Sequence, residues 1–181
     1  MTSVVSSPLS FTRYGLFAQF SYKTLNKKLS VSAGIRSDGN TFTTNGNDVT
    51  KQLSPRLSVS YKLTDDLNFN ASVARYYKIP TYTILGYTDS AGNYVNKNAR
   101  YIYCDHYVAG LEYLPHWEGA RFTLEAFRKN YGKYPVSLLD GISLANKGGD
   151  FNVLGNEPIF SHGKGRAYGL EFQFQQKLLK N

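Results

Sequence analysis

The sequence predicts an all-β chain: an antiparallel up-and-down meander of about seven strands, part of a large transmembrane β-barrel. Three observations predict it. Apolar and polar residues alternate with period two over runs of eight or more residues, and such runs recur along the chain. Aromatics make up 15% of the 181 residues, with 15 Tyr and 11 Phe against one Trp, and Tyr and Phe favour strands. The links between runs alternate strictly between short and long, which places every short turn at one end of the sheet and every long loop at the other.

The first run, Tyr14 to Lys23, sets Leu16, Ala18, Phe20 and Tyr22 on one face and Phe17, Gln19, Ser21 and Lys23 on the other. The turn Thr24-Leu25-Asn26-Lys27-Lys28 leads into Leu29, Val31, Ala33 and Ile35, alternating with Ser30, Ser32, Gly34 and Arg36. A second pair places Leu57, Val59, Tyr61 and Leu63 against Arg56, Ser58, Ser60 and Lys62. After Thr64-Asp65-Asp66 come Leu67, Phe69, Ala71 and Val73 against Asn68, Asn70, Ser72 and Ala74. A third pair has Tyr107, Ala109, Leu111 and Tyr113, a turn through Pro115 and Gly119, then Phe122, Leu124 and Ala126. Its other face carries His106, Val108, Gly110, Glu112, Arg121, Thr123 and Glu125. The last strand sets Tyr168, Leu170, Phe172 and Phe174 against Gly169, Glu171, Gln173 and Gln175.

The long links run from Ser37 to Ser54, Tyr77 to Tyr103 and Gly132 to Gly165, and are rich in Gly, Asn, Asp and Tyr. Structureless loops of that length are uncommon in compact soluble domains. Residues 1–12 read as a leading loop segment and 13–181 as the partial barrel. The amino terminus has no basic segment followed by an apolar run, so it does not read as a signal peptide. Either the protein stays in the cytoplasm or these residues begin partway through a longer one.

No stretch approaches the 18 apolar residues of a membrane helix. A single cysteine excludes an internal disulfide framework and a Cys-cluster zinc site. The apolar strand residues named above include no charge, and no helix or second set of strands is available to cover them. Tyr22, Tyr61, Phe69 and Tyr113 fall beside short turns, and Tyr14, Tyr107 and Tyr168 beside long loops. Two aromatic girdles around an aliphatic band suit a bilayer. A smaller porin-like barrel and a soluble β-sandwich binding module, for instance for carbohydrate, are the alternatives.

Several segments resemble strands of TonB-dependent outer-membrane receptors. They are Arg13-Tyr14-Gly15-Leu16-Phe17-Ala18-Gln19-Phe20, Leu29 to Arg36, Leu53-Ser54-Pro55-Arg56-Leu57-Ser58-Val59, Ala71 to Pro80, and Tyr168-Gly169-Leu170-Glu171-Phe172. The resemblance covers nearly the whole chain from Arg13. It implies a 22-stranded barrel filled by a plug domain, which moves a scarce small-molecule nutrient (siderophore, vitamin or glycan) across the outer membrane with TonB-coupled energy. It also implies that this chain is a middle or late slice of the barrel, embedded in outer-membrane lipid, with Met1 an added start. The plug and the TonB complex would be partners within the parent protein's system.

No enzyme chemistry emerges. Cys104 and His106 share a strand face with Asp105 opposite, but zinc needs three or four ligands, and His116 and His162 lie on distant connections. Gly163-Lys164-Gly165 lacks the phosphate-loop frame. No cofactor and no metal is expected. The formal net charge of +8 makes nucleic acid a partner to consider. Its Lys and Arg are scattered, however, and no RNA-recognition signature is present, so none is expected. Arg36, Arg56, Lys62, Glu112, Arg121, Glu125 and Glu171 read as a polar ladder lining the lumen or contacting the plug. Loops on a rigid scaffold carry recognition. The second long link holds or borders Tyr76, Tyr77, Tyr82, Tyr87, Tyr94, Tyr101 and Tyr103, suited to sugars or aromatic chelates, with Lys78, Lys97 and Arg100 available for an anion. Seven strands cannot close a wide barrel, so the isolated chain is expected to self-associate.

Overall fold

The computed structural model describes residues 9–117, 119–147 and 155–177. Its seven strands are β1 (Arg13–Thr24), β2 (Leu29–Asn40), β3 (Ser54–Lys62), β4 (Leu67–Lys78), β5 (Ile102–Tyr113), β6 (Ala120–Ser137) and β7 (Ile159–Gln176). They form one antiparallel sheet in the order β1-β2-β3-β4-β5-β6-β7, the predicted meander. The first turn is tight because Leu25, Asn26 and Lys27 all adopt positive φ, at 53°, 52° and 70°.

The register turns period two into continuous rows. Tyr22, Val31, Val59, Ala71, Ala109, Ala126 and Leu170 lie opposite one another in turn across all seven strands. The next row towards the short turns is Leu29, Tyr61, Phe69, Leu111, Leu124 and Phe172. Serines Ser21, Ser32, Ser58 and Ser72 align on the opposite face. A single sheet has nothing to pack its apolar face against, so that face stays open: Leu16 is 84% exposed and Leu170 77%. Soluble monomers rarely leave so contiguous an apolar surface in water.

The buried cluster lies elsewhere, under the long loops. Ile79, Leu85, Ala99 and Tyr101 are buried together, with Leu9, Phe11, Phe42, Tyr77 and Ile159 packed against them. Short helical turns within the loops supply part of it. They are α1 (Tyr82–Leu85) and 3₁₀ turns at Val49–Gln52, Val95–Asn98 and Leu144–Asn146.

All three long links differ at their boundaries from the sequence reading. The first is 41–53, because β2 runs on to Asn40 and β3 begins at Ser54. Tyr77 and Tyr103 are paired strand residues that help close the β4–β5 ladder, not loop residues. The third link is shorter than Gly132 to Gly165, because β6 and β7 continue as a ribbon to Ser137 and Ile159. A register irregularity between Tyr131 and Pro135, with Lys133 at φ 56°, hides that continuation from a period-two reading. Tyr168 therefore lies well inside β7, level with Tyr107 and Arg128.

Candidate ligand-binding loops and polar wall

Side-chain amides tie the three long loops into one cap. Asn40 is fully buried. Its Oδ1 accepts from the backbone N–H groups of Phe42 (2.9 Å) and Thr43 (2.8 Å), and its Nδ2 donates to Tyr101 Oη at 3.2 Å. Asn96 donates from Nδ2 to Ile84 O (2.7 Å) and Glu157 O (2.9 Å), while its Oδ1 accepts from Ile159 N (3.0 Å). The backbone N–H of Thr44 donates to Lys97 O at 2.9 Å. Buried amides with every bond made give otherwise irregular loops one geometry.

The structure divides the predicted tyrosines. Tyr101 is 4% exposed and serves the buried cluster; burial raises its hydroxyl pKa above the usual tyrosine value. Phe42 packs edge-to-face on Tyr94 (centroids 5.1 Å apart) and tilted on Phe11 (5.5 Å), and Phe11 packs on Tyr82. Lys97 Nζ lies 5.9 Å from the Tyr94 ring, and Tyr82 remains 59% exposed. Tyr87 O accepts from Val95 N across the same loop. Tyr76 stands on the polar face beneath the cap. The Arg56 guanidinium lies 4.7 Å from its ring and His106 packs beside it. Arg56 and Tyr76 border a cleft of about 180 Å³ also lined by Gln19, Ser32 and Ser72. Lys78 is on that face too, two residues beyond Tyr76.

Tyr77 and Tyr103 point the other way, on the face that carries Val73 and Tyr107. Arg75 stacks on Tyr103 at 4.8 Å and grips Asp105 with two bonds of 2.6 and 2.7 Å. Arg128, Asn130 and Arg166 share this face. On β4 to β7, from the Tyr107 row upward, the apolar face thus becomes charged, which sequence reading did not reach because its runs stopped short; β1 to β3 keep Ala18, Ile35 and Pro55 there. Arg100 and Lys133 line a cavity of about 310 Å³ with Tyr77 and Tyr101.

All seven predicted ladder residues lie on the polar face. Arg121 Nε bonds Glu112 Oε1 at 2.6 Å, and Asn68 Nδ2 donates to Glu112 Oε2 at 3.2 Å. Arg36 pairs with Asp38 at 2.6 Å and Lys62 with Asp65 at 3.0 Å. Arg56 takes the Tyr76 ring instead. Glu125 and Glu171 lie opposite each other, beside Gly110. A Cβ at Gly110 would meet Glu125 Cγ at 2.6 Å, so the glycine makes room for the carboxylate stem. Among the described residues no three His, Cys, Asp or Glu side chains converge as metal ligands. Cys104 instead faces Tyr131 across β5–β6.

The description "TonB dependent receptor-like, beta-barrel" fits residues 3–180. The chain belongs to that family. Its receptors are outer-membrane transport proteins. Among the described residues no helix is long and apolar enough to cross a membrane, which says nothing about crossing by strands. Solved structures agree on the fold. The ferric-catecholate import receptor Fiu of Escherichia coli K12 matches at TM-score 0.63 and 14% identity, over 93% of this chain and 26% of its own. The ferric enterobactin receptor PfeA of Pseudomonas aeruginosa matches at 0.61 and 21%, over 91% and 24%. The receptor of the FpvAI–pyocin S2 complex matches at 0.61 and 13%, over 94% and 21%. The chain thus spans about a quarter of the receptors it matches. No curated protein matches it in sequence.

Proposed function

We propose that this section of TonB-dependent receptor barrel forms part of the wall of an outer-membrane transporter, not an enzyme, that takes up a scarce small-molecule nutrient with TonB-coupled energy. The apolar face meets lipid and the polar face lines the lumen. The observation that carries this reading is the contrast between faces: uncovered apolar rows crossing the strands on one side, and Ser, Asn and ion-paired side chains on the other. A soluble β-sandwich would cover the apolar rows with a second layer. Solved relatives such as PfeA have been captured with enterobactin. That supports a siderophore among the candidate nutrients, beside a vitamin or glycan.

The nutrient enters past the cap and meets the polar face. Tyr82, Tyr87, Tyr94 and Lys97 offer rings and a cation on the loop side, and Tyr76, Arg56 and Lys78 do so on the wall. A plug domain of the parent protein occupies the lumen and supplies cations to Glu125 and Glu171. Growth of cells carrying the intact parent gene tests the reading, with iron chelates, a vitamin or glycans as the limiting nutrient, in the presence and absence of TonB. Growth lost on deletion of either the receptor or TonB supports it. Uptake that persists without TonB overturns it.

A further inference from the structure

The cavity of about 310 Å³ at the long-loop end is lined by three cations, Lys51, Arg100 and Lys133, together with Gln52, Tyr77 and Tyr101. None of its lining residues is a carboxylate. Lys51 shares its charge with Asp48 at 3.0 Å. Among the described residues no carboxylate pairs with Arg100 or Lys133. Arg100 and Lys133 therefore bring two cations without a carboxylate partner to one cavity. Gln52 is 5% exposed and its Oε1 has no hydrogen-bond partner. An acceptor buried in that way is satisfied by a hydroxyl donor.

The side of the sheet on which the cavity lies matters most. Tyr77, in its wall, shares a face with Val73 and Tyr107. The 41–53 loop that carries Lys51 and Gln52 is held on that same face. Tyr14 Oη donates to Asn47 Oδ1 at 3.3 Å, and Ser37 Oγ donates to Val49 O; Tyr14 and Ser37 share the face of Leu16 and Ile35. The cavity therefore continues the apolar face beyond its upper tyrosines, on the opposite side of the sheet from Arg56 and Tyr76.

We infer that this cavity binds the phosphorylated sugar headgroup of an outer-leaflet lipid. The phosphate neutralises Arg100 and Lys133, a sugar hydroxyl donates to Gln52 Oε1, and the Tyr77 ring offers a flat face to the sugar. The lipid source rests on the reading of the apolar face as lipid-facing, because only there does an acyl chain leave the cavity along Tyr107 and Tyr168. Basic side chains just outside the hydrocarbon are where anionic headgroups are drawn.

The test is equilibrium binding to the intact parent receptor in neutral detergent. The probes are a bis-phosphorylated glucosamine disaccharide glycolipid, the same glycolipid with its phosphates removed, and soluble glucosamine 1-phosphate. The phosphorylated glycolipid should bind, the other two should bind at least tenfold more weakly, and Arg100→Ser with Lys133→Gln should weaken the glycolipid about tenfold or more. Gln52→Leu keeps all three cations and should weaken it severalfold, which covers the case in which the double variant does not fold. Equal binding by wild type and both variants overturns the site. Soluble sugar phosphate binding as tightly as the glycolipid overturns the lipid as the source. Because binding is read in detergent, failure of the lipid-facing assignment registers separately, through Leu170→Arg in vesicles.

Discussion

Glu125 on β6 and Glu171 on β7 occupy directly opposed positions on the polar face, so two carboxylates face each other across one rung of the ladder. Like charges directly opposite are destabilising by a few tenths to about 1 kcal/mol. Among the described residues neither takes part in an ion pair. In the intact receptor we expect Glu171→Gln to have opposite effects in two assays. It should stabilise a plug-free barrel by about 0.5 kcal/mol in urea titration, and it should loosen the plugged receptor, read as increased entry of a large antibiotic into cells. The same sign in both assays would remove the case for a cationic partner.

Leu170 lies in the middle apolar row, and Gln173 stands on the opposite face, two residues nearer the short-turn end than Glu171. Leu170→Arg should reduce folding of the parent barrel into lipid vesicles by about 2–4 kcal/mol, whereas Gln173→Arg should be tolerated. Equal tolerance of both would mean that the apolar face never meets lipid.

Cysteine labels at Asn47 and Asn93, in the long loops, should react with an impermeant reagent on whole cells carrying the intact receptor. Labels at Asn26 and Asp65, in the short turns, should not, because barrels place the two sets on opposite sides of the membrane. Surface reaction at Asn26 or Asp65 inverts the assignment.

Lys147 binds Asp140 at 2.7 Å and Glu157 at 2.9 Å, clamping the link between β6 and β7. Lys147 holds the Asp140 carboxyl below the usual aspartate range, and Asp140 and Glu157 raise the Lys147 ammonium above the usual lysine value. The depressed Asp140 value makes its contribution present above the unfolded carboxylate pKa and lost as pH falls through the folded one. The raised Lys147 value makes its contribution present below the unfolded lysine pKa and lost as pH rises through the folded one. The clamp is therefore fully present at neutral pH. Ile142 N–H, which donates to Asp140 Oδ1 at 2.9 Å, should lose amide-exchange protection between pH 7 and pH 3, and Lys147→Met should lower it at pH 7. Protection unchanged in both conditions would show that the clamp does not order the loop.

The isolated chain should associate in the absence of detergent. Among the described residues β1 and β7 each have one unpaired edge, and Leu16, Phe20, Leu170 and Phe172 are exposed on the apolar face. Sedimentation of the purified chain should show oligomers. A folded monomer at high concentration would be incompatible with an uncovered apolar face.

The sheet was legible because each strand carries its own period of two: Leu57 to Lys62 and Leu67 to Val73 declare both faces without any knowledge of their neighbours. The polar ladder was legible for the same reason. The β6–β7 ribbon was not, since Gly132, Lys133, Gly163 and Gly165 break the alternation where the register shifts. Nor was the cap, because Asn40 and Asn96 look like ordinary turn residues until partners some sixty positions away, Tyr101 and Ile159, come into reach. The tyrosine-rich link read as one surface, yet Tyr76 and Tyr77, as strand neighbours, point to opposite faces.

The nearest-neighbour strand order also bears on how the wall is made. Each ladder joins strands that follow one another in the chain, and the widest gap to be bridged is 79–101. Closure entropy grows only slowly with such lengths, so the sheet can grow by adding one hairpin at a time to an existing edge. On that route each hairpin docks on the edge of its neighbour in the chain, and β1 or β7 can equally serve as the growing edge.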